Sequence, residues 1–192
     1  MNTRVLGTLT MIGGLAGVLF AVRLVLWPEI TSKPGDMLGQ SLNLLWQLGN
    51  LCLVLGILRL NVTGTGRLAR GLTYVPLATA VLGVVVTAAL VVGRPLPLPI
   101  AILTILGGLA GFIIIGVLAL RARRWEGWRR FVLLAYPGAY LLAGLLRLVS
   151  ISLPPSLFVA LASIIIGYAV LSSNPASSGE TARVAVNPSP TS

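Results

Sequence analysis

The chain has no histidine, one cysteine and four acidic residues among 192. Without histidine there is no imidazole base, no bis-histidine haem and no His-ligated metal. A lone Cys52 excludes an intrachain disulfide and a cysteine-based metal site. Glu29, Asp36, Glu126 and Glu180 are scattered outside the long apolar runs. No carboxylate pair is therefore available for acid–base work, and none is buried to carry a proton. There is no Walker-type phosphate loop, and no serine sits in a nucleophile-elbow context. These gaps argue against an enzyme, and no cofactor or metal is expected.

Charge is scarce as well, at 9% of residues against 56% hydrophobic ones. A soluble domain of this length needs far more charge to cover its surface. The apolar runs reach the length of about 20 residues that crosses a bilayer. The expected fold is an all-α membrane protein with six transmembrane helices at about 5–27, 38–60, 72–92, 100–120, 131–150 and 155–172. The domain covers 1–172, and 173–192, rich in Ser, Pro, Thr and Ala, reads as a disordered cytoplasmic tail. The first run is longer than a signal-peptide core and lacks a clear cleavage site, so it is read as a retained helix. Pro137 is expected to bend the fifth span. The segment 28–37 reads as a turn-rich loop with Trp27 as an interface anchor.

The net charge of +10 lies mostly beside the spans. That placement favours anionic lipid over nucleic acid as the partner. Segments 59–71 and 121–130 carry three and five arginines, and the ends carry Arg4 and Arg183. The other loops carry Lys33, Arg94 and nothing. Positive charge stays in the cytoplasm, so both termini are expected inside, in a bacterial inner membrane. In RARRWEGWRR, Arg121, Arg123, Arg124, Arg129 and Arg130 are expected to meet anionic headgroups, with Trp125 and Trp128 at headgroup level.

Small residues mark the first helix. Thr3, Gly7, Thr10, Gly14, Gly17 and Ala21 recur at spacings of four and three, a face suited to close packing. Residues 9–17, LTMIGGLAG, and 103–111, LTILGGLAG, agree at seven of nine positions. This brings Gly107 and Gly111 into the same class and suggests a weak 3+3 inverted repeat. Glycine motifs also recur independently in membrane helices, and the remaining helices align poorly.

Two polar stripes stand out. Gln40, Asn43, Gln47 and Asn50 share an arc of about 80° at roughly 100° per residue. Unpaired carboxamides in hydrocarbon cost about 2–7 kcal/mol each, so the stripe must face other helices or water. Tyr136, Tyr140 and Arg147 share one face of the fifth span. Arg23 and Arg147 are candidates for holding an anionic group, because guanidinium forks suit phosphate and carboxylate. Only Glu29 and Asp36, in the first outer loop, are placed to neutralise them from within the chain. Two functions follow. One is a non-catalytic accessory or scaffold subunit of a membrane assembly, partnered by lipid, other membrane subunits or a second copy. The alternative is a small transporter or a lipid- or anionic-solute-binding protein with a polar cavity between spans one, two and five.

Overall fold

The computed structural model describes residues 2–31, 36–64, 66–123, 125, 127–148 and 153–173, without the side chains of residues 30, 31 and 147. Every regular element among them is helical: α1 Thr3–Leu26, α2 Pro28–Thr31, α3 Met37–Arg59, α4 Arg67–Val91, α5 Leu98–Ala122, α6 Arg129–Val132, α7 Ala135–Leu148 and α8 Pro155–Leu171. Four of them, α1, α3, α4 and α5, are long and apolar enough to cross a membrane. At 14 and 17 residues, α7 and α8 are shorter. The tail 174–192, Lys33, Arg124 and Glu126 lie outside the described residues.

The fifth expected span is broken in two, and the break falls one turn before the proline. Pro137 has no N–H to give to Leu133, and its ring crowds that carbonyl. The chain therefore turns at Leu133 and Leu134, where the Leu134 N–H reaches back only to the Phe131 carbonyl at 2.9 Å. Helix α7 restarts at Ala135. Pro137 then occupies its first turn, where N–H groups have no helical partner in any case. The expected loop 28–37 likewise holds the one-turn helix α2.

The helices run up and down. Gly17 of α1 meets Trp46 of α3, while Gly7 of α1 meets Leu171 of α8. Asn50 of α3 meets Ser163 of α8, Gln47 meets Gly83 of α4, and Gly111 of α5 meets Pro76 of α4. Phe112 of α5 stacks on Tyr136 of α7. The order around the bundle is thus α1, α3, α4, α5, α7, α8, with α3 and α8 also in contact across it. We call the end with the N-termini of α3, α5 and α8 the upper end. Arg23 and Arg94 lie near it, whereas Arg4, Arg59, Arg67, Arg70, Arg121, Arg123, Arg129 and Arg130 lie at the lower end.

The tightest seam joins α1, α3 and α8. A Cβ added at Gly13 would fall 2.6 Å from the Gly49 Cα, so two backbones touch there. At Gly7 it would meet the Leu171 backbone nitrogen at 2.6 Å, and at Gly14 and Gly17 it would meet α8 as well. All six residues of the expected small face, Thr3 to Ala21, are buried. Gly107 and Gly111 of α5 meet Thr79 and Pro76 of α4 in the same manner. The lower half of the interior is closely packed, with Leu53, Ile57, Ile115 and Ala119 all fully buried.

Candidate functional site

The α3 stripe is divided among three directions. Asn50 is 5% exposed, and its Oδ1 accepts the Ser163 hydroxyl at 3.1 Å. Gln47 extends its Oε1 over Gly83, 2.9 Å from where a Cβ would stand, beside the Thr104 methyl. Asn43 and Gln47 are half-buried, while Gln40 is buried and its Oε1 has no hydrogen-bond partner among the described residues. With Asn50 toward α8 and Gln47 toward α4, the stripe between them looks into the bundle, toward α5 and α7.

One face of α5 answers it. Ala101, Thr104, Gly108, Ile115 and Ala119 recur at spacings of three, four, seven and four, which align on a helix. The lower two are fully buried. The upper three are not, and a Cβ at Gly108 would find nothing within 4 Å. No residue of α5 before Gly111 is buried. The same helix face is therefore packed below and open above. Tyr136 marks the floor, its ring 3.9 Å from Phe112 and nearly parallel. Tyr140 stands one turn higher on α7, 6.1 Å from Tyr136. Leu103 and Leu106 of α5 and Leu141 and Leu145 of α7 are exposed at the same height, on faces turned away from Gly108 and Tyr136. The interior is thus less closely packed in the upper half than in the lower, and we take this part of the bundle, between α5 and α7 and opposite the carboxamides, as the candidate cleft.

The expected cavity drew on spans one, two and five. Helix α7 packs on α8 and α5 rather than on α1 and α3. Arg23 is drawn elsewhere: its Nη2 and Nε donate to the two Asp36 carboxylate oxygens at 2.8 and 3.2 Å. The pair pins the upper end of α1 to the start of α3. The Arg147 side chain lies outside the described residues. The described residues do not assemble a joint anion site from these two arginines.

The Arg23 guanidinium holds the Asp36 carboxyl below the usual carboxylate range, against an opposing effect of burial. A carboxyl lowered in the folded state contributes stability above its unfolded pKa, near pH 4, and loses it as pH falls through the folded value. The melting temperature should therefore drop in acid below about pH 4. Asp36→Asn should melt lower at neutral pH and lack that acid-dependent step. An identical acid profile in the variant would remove the pair from the stability of the fold.

At the lower end, Trp128 is 51% exposed and stacks on Tyr168 with centroids 6.4 Å apart. The Arg130 guanidinium lies 4.7 Å over the Phe131 ring. Trp125, expected beside Trp128 at headgroup level, is instead buried and belongs to the core cluster. It closes the bundle from below, while Arg121, Arg123 and Arg130 remain exposed and Arg129 is half-buried. No group of three or more metal-ligating side chains occurs among the described residues. Residues missed at the level of sequence are Gly13, Gly49, Gly108, Thr104 and Ser163. Gly108 carried a faint signal as the second member of a doublet whose first member, Gly107, packs on α4. No known family, characterised protein or solved structure matches the chain.

Proposed function

We propose that the chain is a non-catalytic bacterial inner-membrane protein that crosses the bilayer six times with both termini inside, and that it binds a ligand in the upper cleft. The reading is carried by the change along α5, from fully buried Ile115 to open Gly108 on one face, opposite the carboxamides of α3. A half-buried carboxamide near mid-helix is costly in hydrocarbon and becomes favourable with a hydrogen-bonding ligand or water. Six crossings are supported by the lengthwise pairing of α8 with α1, from Leu171 at Gly7 to Ala160 at Gly17. Bilayer thinning and flanking residues accommodate a short helix at modest cost. Orientation rests on the arginines gathered at the lower end.

A second reading, an accessory or scaffold subunit, is favoured by α7. Cβ atoms at Gly138 and Gly144 would find nothing within 4 Å, and Leu141, Leu145 and Leu148 beside them are exposed. Such a face admits a partner helix closely. Native mass spectrometry from mild detergent separates the two. A small molecule retained on a monomer or homodimer supports the ligand reading; fixed protein partners without one support the subunit reading. Orientation has its own test, in a Cys52→Ser background. Arg94→Cys should react with an impermeant thiol reagent on intact cells, and Arg123→Cys only after permeabilisation. Reaction of both from one side would overturn the six-crossing arrangement.

A further inference from the structure

We infer that the lower end carries a separate site, where α1 and α8 part: an open cavity that takes the phosphate of an anionic membrane lipid, with Arg4 as its cation. The site does not depend on the upper cleft. It rests on α1 and α8 crossing the bilayer. The cavity measures about 380 Å³ and is lined by Arg4, Leu171, Ser172 and Ser173. Ligand sites span about 300–1,000 Å³, so there is room for a headgroup and little more. It opens just below the point where the two backbones touch, Gly7 against Leu171. One turn further down, α1 presents Arg4 and α8 has ended. The Arg4 side chain is exposed and has no hydrogen bond or ion pair with any described residue. The described acidic residues, Glu29 and Asp36, both lie at the upper end. Arg4 also stands in the first turn of α1, at the positive end of the helix dipole, with no acidic residue in that turn. A cation there is unfavourable until an anion joins it.

The two serines add polar surface. Their hydroxyls donate to the Ala169 carbonyl, at 3.3 Å from Ser172 and 2.7 Å from Ser173. The longer bond is the weaker, and a phosphate oxygen offers Ser172 a charge-assisted one in exchange. A free phosphate would meet the same groups; depth points to a lipid. Leu161, Ile165, Tyr168 and Ser172 follow at spacings of four, three and four, on one outward stripe of α8. The first three are exposed. Leucine and isoleucine suit hydrocarbon, while Tyr168, stacked on the exposed Trp128, is a residue of the membrane interface. Ser172 lies one turn below it, about 6 Å, which is headgroup depth. On α1, Leu15 and Val22 are exposed on the face that carries Arg4, at spacings of eleven and seven. Both helices thus offer apolar surface for acyl chains above the cavity.

The test uses the full chain in bilayer discs of phosphatidylcholine with a minor share of phosphatidylglycerol, followed by native mass spectrometry. Wild type should retain phosphatidylglycerol in preference to phosphatidylcholine. Arg4→Gln should lower that retention by about tenfold, the loss expected of a charge-assisted bond. Ser172→Phe keeps every charge but fills the cavity, and should lower it as much. Arg70→Gln removes another exposed arginine, on α4, with α3 between it and α1. Screening limits its reach to about 10 Å, so its effect should stay within about twofold. Both cavity variants should melt as wild type does in phosphatidylcholine alone, since Arg4 is exposed and Ser172 only half-buried. Wild-type retention in Ser172→Phe, or equal losses in Arg4→Gln and Arg70→Gln, would reduce the site to diffuse attraction and overturn it. In neutral detergent, phosphatidylglycerol should raise the melting temperature and inorganic phosphate should not. An equal rise with inorganic phosphate would overturn the lipid in favour of a soluble anion. Higher retention in Glu180→Gln than in wild type would make that carboxylate the occupant, and would overturn the lipid as well.

Discussion

Gly13→Leu and Gly49→Leu should each abolish the close packing of α1 on α3, and with it the stable bundle. The reason is that the obstacle is backbone. A Cβ at Gly13 would stand 2.6 Å from the Gly49 Cα, and one at Gly49 would stand 2.7 Å from the Gly13 Cα. Overpacking against side chains costs about 1–3 kcal/mol because they can rotate aside. Here the helices must separate, and the seam with α8 separates with them. Lipid is as apolar as leucine, so both helices remain inserted after the change; what is lost is van der Waals contact between them. The expected result is a chain that reaches the membrane in normal amount but melts far below wild type in detergent. Gly71→Leu is the matched control, since a Cβ there would meet nothing within 4 Å. Equal melting of Gly13→Leu and wild type would show that α1 and α3 do not cross at these glycines.

The contrast between Gly14 and Gly108 also shows what local pattern can and cannot convey. Both are the second glycine of the GG doublet in the near-identical nonapeptides. A Cβ at Gly14 would meet the Ala160 carbonyl oxygen and the Ile164 nitrogen of α8 at 3.1 Å, while one at Gly108 would meet nothing within 4 Å. A glycine permits close approach without requiring it, so the same letters serve opposite ends. Helix extents were legible because a continuous apolar run admits little else: 5–27 became Thr3–Leu26, and 38–60 became Met37–Arg59. The rule that carboxamides avoid lipid was equally legible, and Asn50 and Gln47 obey it. Their partners were not, because Ser163 is 113 residues away from Asn50 and only the assembled bundle brings them together. Pro137 announced a distortion, yet its effect falls on the residue four positions earlier. Trp125 and Trp128 share one arginine-rich stretch, yet one is buried and the other exposed.

Trp46 and Gly17 should behave as a matched pair of large and small. The indole is 7% exposed, and a Cβ at Gly17 would stand 2.8 Å from its Cγ and Cδ2. Trp46→Ala removes the largest side chain on that part of the α1–α3 seam, and truncations of this size in cores cost about 3–5 kcal/mol. The indole N–H has no partner among the described residues, so no hydrogen bond is lost with it. Gly17→Leu alone should destabilise comparably, by driving a side chain into the ring. The double variant exchanges large for small across the same gap and should melt well above the sum of the two losses. Residues in direct contact show coupling of about 0.5–3 kcal/mol, and this pair belongs near the upper end. Full recovery is not expected, because the Gly17 position also faces the Ala160 Cβ at 2.9 Å, which the exchange leaves in place. Additive losses in the cycle would mean that the indole and the glycine do not share a contact, and α1 would then have to lie differently against α3.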